Sequence, residues 1–141
     1  GGSRRLGVAQ VIVLDTHVWV WWVSEAAELP PRVKKVINRN ADENTIYVSS
    51  ISAWEVALLV KKGRLQLTMS AEDWIAQCEA LPVLKFVPVD NRIVVRSVFL
   101  PGPLHNDPAD RVIISTALHL GARLVTKDAK LRRYAHVETL W

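Results

Sequence analysis

The sequence predicts a single α/β domain with a mostly parallel central β-sheet flanked by helices on both faces. Three observations predict it. Short apolar runs rich in β-branched residues recur along the chain, amphipathic helical patterns separate them, and acids or hydroxyl residues follow several of the runs directly. Strands buried on both faces read as continuous apolar runs rather than as alternation.

The first run is 8–14, nearly unbroken and β-branched, and it ends at Asp15. Shorter runs at 46–48, 84–89 and 123–126 predict further strands, and 137–139 predicts an edge strand. Between them, 16–23 is a Trp-rich helix and 30–40 a basic one. Residues 52–62 form a helix that stops at Gly63. The helix over 70–81 opens with Ser70 three residues before Asp73, in the manner of a capping box. A short helix covers 91–99, and Asp107-Pro108 opens one that runs to about His119. A last helix starts at Asp128, and Pro101-Gly102-Pro103 is a loop.

At 141 residues, with half of them hydrophobic and 23% charged, the chain suits one folded domain rather than a disordered segment. Residues 1–7 are read as a tag remnant or disordered extension and 8–141 as the domain. No stretch is long and apolar enough to cross a bilayer. The single cysteine, Cys78, excludes an internal disulfide, lies on an apolar helical stripe, and fits a reducing cytoplasm. Eighteen Lys and Arg against 14 Asp and Glu give a net charge of +4, which favours a polyanionic partner such as nucleic acid.

In parallel α/β sheets ligands bind outside the carboxyl ends of the strands. Asp15, Glu55, Asp110 and Asp128 all reach that edge from distant parts of the chain. Each also has a local reading. Asp15 and Asp128 suit helix N-caps, Glu55 suits a capping box with Ser52, and Asp110 suits the positive end of its helix. Glu55 and Asp110, however, share helical faces with Ile51, Leu58 and Leu59, and with Ile113, Ile114 and Ala117. Acids on core-directed stripes are costly without compensation. Two carboxylates about 5 Å apart at an effective dielectric near 20 repel by roughly 3 kcal/mol. A hard divalent cation, Mg²⁺ or Mn²⁺, is the natural remedy, and beside a basic surface it points to phosphodiester hydrolysis.

The motifs Leu14-Asp15-Thr16-His17, Ser49-Ser50-Ile51-Ser52-Ala53-Trp54-Glu55, His105-Asn106-Asp107-Pro108-Ala109-Asp110-Arg111 and Leu124-Val125-Thr126-Lys127-Asp128 occur in that order. With them the chain resembles the PIN-domain family, in particular its VapC-type toxins of bacterial toxin–antitoxin pairs, from Val11 to the C-terminus. The resemblance implies a PIN fold, Mg²⁺- or Mn²⁺-dependent endoribonuclease activity on RNA, a cognate antitoxin and a homodimer. It implies that Asp15 and Asp110 ligate the main metal, that Glu55 and Asp128 complete the cluster, and that Thr126 and Ser49 hydrogen-bond behind them. Arg111 is a candidate phosphate contact, with a surface ion pair as its alternative. Asp107 reads as an N-cap.

His17, His105, His119 and His136 show no paired ligand spacing. Trp19, Trp22, Trp54 and Trp74 fall on core stripes, whereas Trp21 is expected to meet the antitoxin or a second subunit. A phosphatase with an Asp nucleophile is disfavoured because His17 stands where a second acid belongs. A seryl hydrolase lacks its Gly-x-Ser-x-Gly turn. Two readings of the same fold stay open: a catalytically inactive module that binds RNA or protein, and a housekeeping RNA-processing nuclease.

Overall fold

The computed structural model describes residues 10–141, so the expectation for residues 1–7 and the start of the first predicted strand lie outside the described residues. The chain runs β1 (Ile12–Leu14), α1 (Thr16–Val23), α2 (Pro31–Asp42), β2 (Ile46–Ser49), α3 (Ser50–Lys61), α4 (Ala71–Glu79), β3 (Leu84–Val87), α5 (Asn91–Val98), α6 (Pro108–Leu120), β4 (Arg123–Val125), α7 (Ala129–Arg132) and β5 (Thr139–Leu140). The sheet has the order β3-β2-β1-β4-β5 and every pairing is parallel.

Side chains alternate across the sheet, which divides the core in two. Ile12 and Leu14 of β1 join Ile46 and Val48 of β2 on one face, where Val18 and Trp19 of α1, Ile37 of α2, Val56 of α3 and Trp74 of α4 cover them. Val13 and Leu124 point to the other face, against Ile113, Ile114 and Ala117 of α6 and Leu131 of α7. Cys78 is a free thiol buried in the first of these clusters.

Differences from the expected boundaries have local causes. Strand β3 stops before Pro88, which has no N–H for the ladder. The edge strand pairs at Thr139 and Leu140 with Leu124 and Val125, two residues later than expected. Helix α3 begins at Ser50 because the Ser49 hydroxyl accepts from Ile51 N at 3.2 Å and caps it. The Ser52–Glu55 capping box therefore does not form. Trp54, expected in the core, is 57% exposed, since Ser52 and Val56 take the inward face of α3 and position 54 lies opposite. Gly121, at φ 63°, ends α6 in the left-handed conformation that favours glycine.

Candidate active site

Strand order reverses between β1 and β4: the chain leaves β1 toward β2 on one side, while β5 lies beyond β4 on the other. The crevice at the carboxyl ends of β1 and β4 is thus a topological switch point. Asp15 leaves β1 there, tied by its amide to Val125 O at 3.0 Å, and Asp128 follows β4. Glu55 reaches the same place from α3 and Asp110 from the first turn of α6. All four line one cavity of about 380 Å³, with Thr16, His17, Val18, Trp21 and Lys127.

Asp15 both caps α1 and faces the cavity. Its Oδ1 accepts from Thr16 N at 2.8 Å, and its Oδ2 accepts from the Thr126 hydroxyl at 2.6 Å. The same Thr126 oxygen accepts from Asp128 N at 3.1 Å, which couples the two acidic turns. Asp128 is exposed, and its Oδ1 caps α7 by accepting from Lys130 N and Leu131 N. Both local N-cap readings therefore hold together with cavity placement.

Glu55 accepts from the Thr16 hydroxyl at 2.5 Å, and Thr16 Oγ1 also lies 2.8 Å from Ser52 Oγ. A hydroxyl has one proton, so Thr16 donates it to the ionised Glu55 and accepts from Ser52. Thr16 thus supports Glu55 in the way expected of Ser49, whose hydroxyl is committed to the α3 cap. Asp110 Oδ2 is 2.8 Å from His105 Nε2, and Asp107 caps α6 by accepting from Asp110 N at 3.0 Å.

Burial pushes Glu55 up to about 7 and Asp110 up to about 6, and it also raises Asp15. Hydrogen bonds from Thr16, His105 and Thr126 oppose the shift, while the neighbouring carboxylates add to it. Asp15 and Asp110 each raise Glu55, and Asp128 raises Asp15. The four acids share one electrostatic environment short of positive charge.

Their donor chemistry, hard carboxylate oxygen from four separate elements, fits Mg²⁺ or Mn²⁺. Glu55, Asp110 and Asp128 each keep one oxygen that accepts no hydrogen bond from the described residues. The acids line a pocket rather than converge on a point. Among the described residues no three His, Cys, Asp or Glu side chains are close enough to hold an ion as they stand.

Arg111 departs from both of its expected roles. Its guanidinium donates to the carbonyls of Ser97, Val98, Leu104 and His105, so it binds the end of α5 to the loop before α6 and is not free for a phosphate. Bonds from a charged donor contribute about 1.5–3 kcal/mol each where a partner would otherwise be orphaned. Arg111→Met is expected to cost about 3 kcal/mol in urea denaturation, and Arg111→Lys should recover little, because an ammonium lacks the planar fork. A loss under about 0.5 kcal/mol, the scale of a neutral surface change, would contradict this role.

Sequence reasoning undervalued Thr16, His105 and Lys127. A hydroxyl buried at the start of an otherwise apolar helix was the available signal for Thr16. His105 lies in a loop, where periodicity is silent. Trp21 forms a wall of the acidic cavity, between His17 and Trp141, with Lys127 Nζ 5.9 Å from its ring centre.

Comparison with known proteins agrees with this architecture. The PIN domain family model matches residues 12–137. Ribonuclease VapC22 of Mycobacterium tuberculosis (strain ATCC 25618 / H37Rv) is 36% identical over 132 residues, spanning 92% of this chain and 98% of the relative. Among solved structures, VapBC2 from Rickettsia felis bound to a promoter DNA fragment superposes with TM-score 0.65 at 19% identity, covering 92% of this chain and 97% of that one. DNA-bound VapBC from Salmonella typhimurium gives 0.63 at 18% identity, covering 93% and 97%. At those identities the two structures speak for the fold. The chain belongs to the PIN-domain family and is a member of its VapC type.

Proposed function

We propose that the chain is a Mg²⁺- or Mn²⁺-dependent endoribonuclease, the toxin of a toxin–antitoxin pair, and that it hydrolyses RNA phosphodiesters at the Asp15, Glu55, Asp110 and Asp128 pocket. One observation carries the reading. Four carboxylates from four elements line one cavity at the switch point, and burial and mutual repulsion hold Glu55 and Asp110 far above the usual carboxylate range. That the 36% identical relative is a ribonuclease supports it.

Asp15 and Asp110 would hold the main ion, with Glu55 and Asp128 completing its surroundings. When bound, the ion supplies activation of water and neutralisation of phosphate charge. The chain supplies position. Thr126 and the Thr16 amide fix both oxygens of Asp15, Thr16 fixes Glu55, and His105 orients Asp110. Lys127 adds a cation beside the acids, where a phosphate would lie.

An antitoxin partner is supported by relatives of this fold whose solved structures are described as toxin–antitoxin or VapBC complexes. A homodimer is supported by the apolar strip Val94, Val95, Val98 and Phe99, the last 80% exposed. The free thiol of Cys78 suits a cytoplasmic location. No helix among the described residues is long and apolar enough to cross a membrane.

Purified protein is expected to cut single-stranded RNA with Mg²⁺ or Mn²⁺, to stop in EDTA, and to resume with excess metal. Expression of the chain alone should arrest growth. Cleavage that survives EDTA would overturn the metal-dependent reading, and cleavage without growth arrest would favour a housekeeping nuclease. The inert-module reading draws on the lack of a preformed three-residue ligand set among the described residues. RNA binding with no cleavage in either metal would establish it.

A further inference from the structure

A second cavity, of about 470 Å³, lies beside the acidic one and is lined by Pro103, Leu104, His105, Lys130, Arg133 and Tyr134. Resting on the ribonuclease reading, we infer that it binds a backbone phosphate of the RNA near the one being cut, with Lys130 and Arg133 as its cations.

Two hydrogen-bonded links tie this cavity to the acids. His105 lines it while holding Asp110 through Nε2, and Asp128 caps the short helix α7 that carries Lys130 toward Arg133. The cavity therefore keeps a fixed relation to the cleavage pocket, as a site for the next stretch of the same strand must.

Its chemistry is cationic. Among the described residues the Lys–carboxylate ion pair is Lys34–Glu25, and Asp110 is bonded to His105 of the cavity wall, so the exposed Lys130 and Arg133 stand there without an acid partner. The wall behind them is built. Tyr134 is buried, and its hydroxyl donates to Pro101 O at 2.6 Å, which fastens the 101–105 loop against the end of α7. Arg111 holds the same loop through the carbonyls of Leu104 and His105. Two unpaired cations on a fixed wall suit a phosphodiester, which brings negative charge without demanding a particular base. The acidic cavity alone would repel that strand, so a neighbouring cationic contact offsets the repulsion.

The test uses binding and cleavage together. In an Asp110→Asn background, which prevents cutting, a labelled single-stranded 12-mer RNA is titrated by fluorescence anisotropy at several salt concentrations. Lys130→Ala/Arg133→Ala should weaken binding about tenfold and lower the magnitude of the log–log salt slope by about 1.4, two contacts at roughly 0.7 each. Lys61→Ala/Lys62→Ala, on the far end of α3, should change neither. In the native background the double variant should cut a dinucleotide as the parent does and lose efficiency on the 12-mer through KM. An unchanged slope with a parent that binds and cuts RNA would sink the phosphate site alone. Equal loss on the dinucleotide would also overturn it, by showing that the pair acts on the cleavage pocket itself. Unchanged RNA binding with lost binding of polyglutamate would assign the cavity to an acidic protein segment instead. A parent that neither binds nor cuts RNA would remove the ribonuclease reading and this site with it.

Discussion

Asp110→Asn is expected to abolish RNA cleavage and, at the same time, to raise the melting temperature of the metal-free protein. The carboxyl of Asp110 is held near 6 by burial, in the field of Asp15 and Asp107. At pH 7.5 the folded chain must ionise it there at a cost. The nominal shift from 3.8 to about 6 amounts to roughly 3 kcal/mol, which solvent screening at this partly exposed site reduces to about 1–2 kcal/mol. Asparagine keeps the shape, can still accept from His105, and removes that cost. It also removes a charged ligand for the cation, and losing one such electrostatic contact lowers kcat by about 10²–10³ or more. Gain of stability with loss of function is the signature of a group placed for chemistry rather than for folding. Calorimetry and a single-turnover cleavage assay measure the two halves. An active variant would remove Asp110 from the site, and a destabilised one would mean that the fold depends on its charge.

How much of this could be read from residues alone follows from what each residue depends on. The acids after apolar runs were legible because a parallel sheet sends the end of every strand to one edge, so Asp15 and Asp128 needed no knowledge of contacts. Thr126, between β4 and Asp128, follows from the same rule, and its hydroxyl does hold Asp15. Glu55 and Asp110 were legible because a charge on an apolar helical face requires an explanation. What stayed hidden depends on pairs far apart in the chain or on loops. Thr16 meets Glu55 across 39 residues, and no local pattern distinguishes Thr16 from Ser49 as its partner. Arg111 beside Asp110 suggests a phosphate or an acid, but its actual partners are the carbonyls of a helix end and a loop, which have no sequence signature. The local and functional readings of Asp15 and Asp128 also did not compete. A carboxylate has lone pairs enough to cap a helix and still present an edge to the cavity.

The same electrostatics set the pH dependence of the fold. Glu55, Asp110 and Asp15 all have folded-state values above their unfolded ones, so between about pH 4 and 7 the folded chain binds more protons than the unfolded chain. Stability then falls as pH rises, because its slope follows the protons bound by the unfolded state minus those bound by the folded state. For Asp110 and Glu55 the penalty is absent below the unfolded values of 3.8 and 4.5 and is developed once Glu55 has ionised above about 7, and Asp15 adds to it in the same direction. In EDTA the melting temperature should therefore drop from pH 5 to pH 8 by several degrees, corresponding to about 2–3 kcal/mol after screening. Mn²⁺ or Mg²⁺ should return most of it, since a ligand at 100 times its Kd stabilises by about 2.7 kcal/mol. The recovery should be larger at pH 8 than at pH 5, where protons compete for the same oxygens. Glu55→Gln should flatten the EDTA profile, because it deletes a carboxyl that burial pushes up to about 7. Melts that rise toward pH 8 in EDTA, or that ignore the metal at every pH, would show that these carboxylates are stabilised by the chain itself and leave no role for a cation.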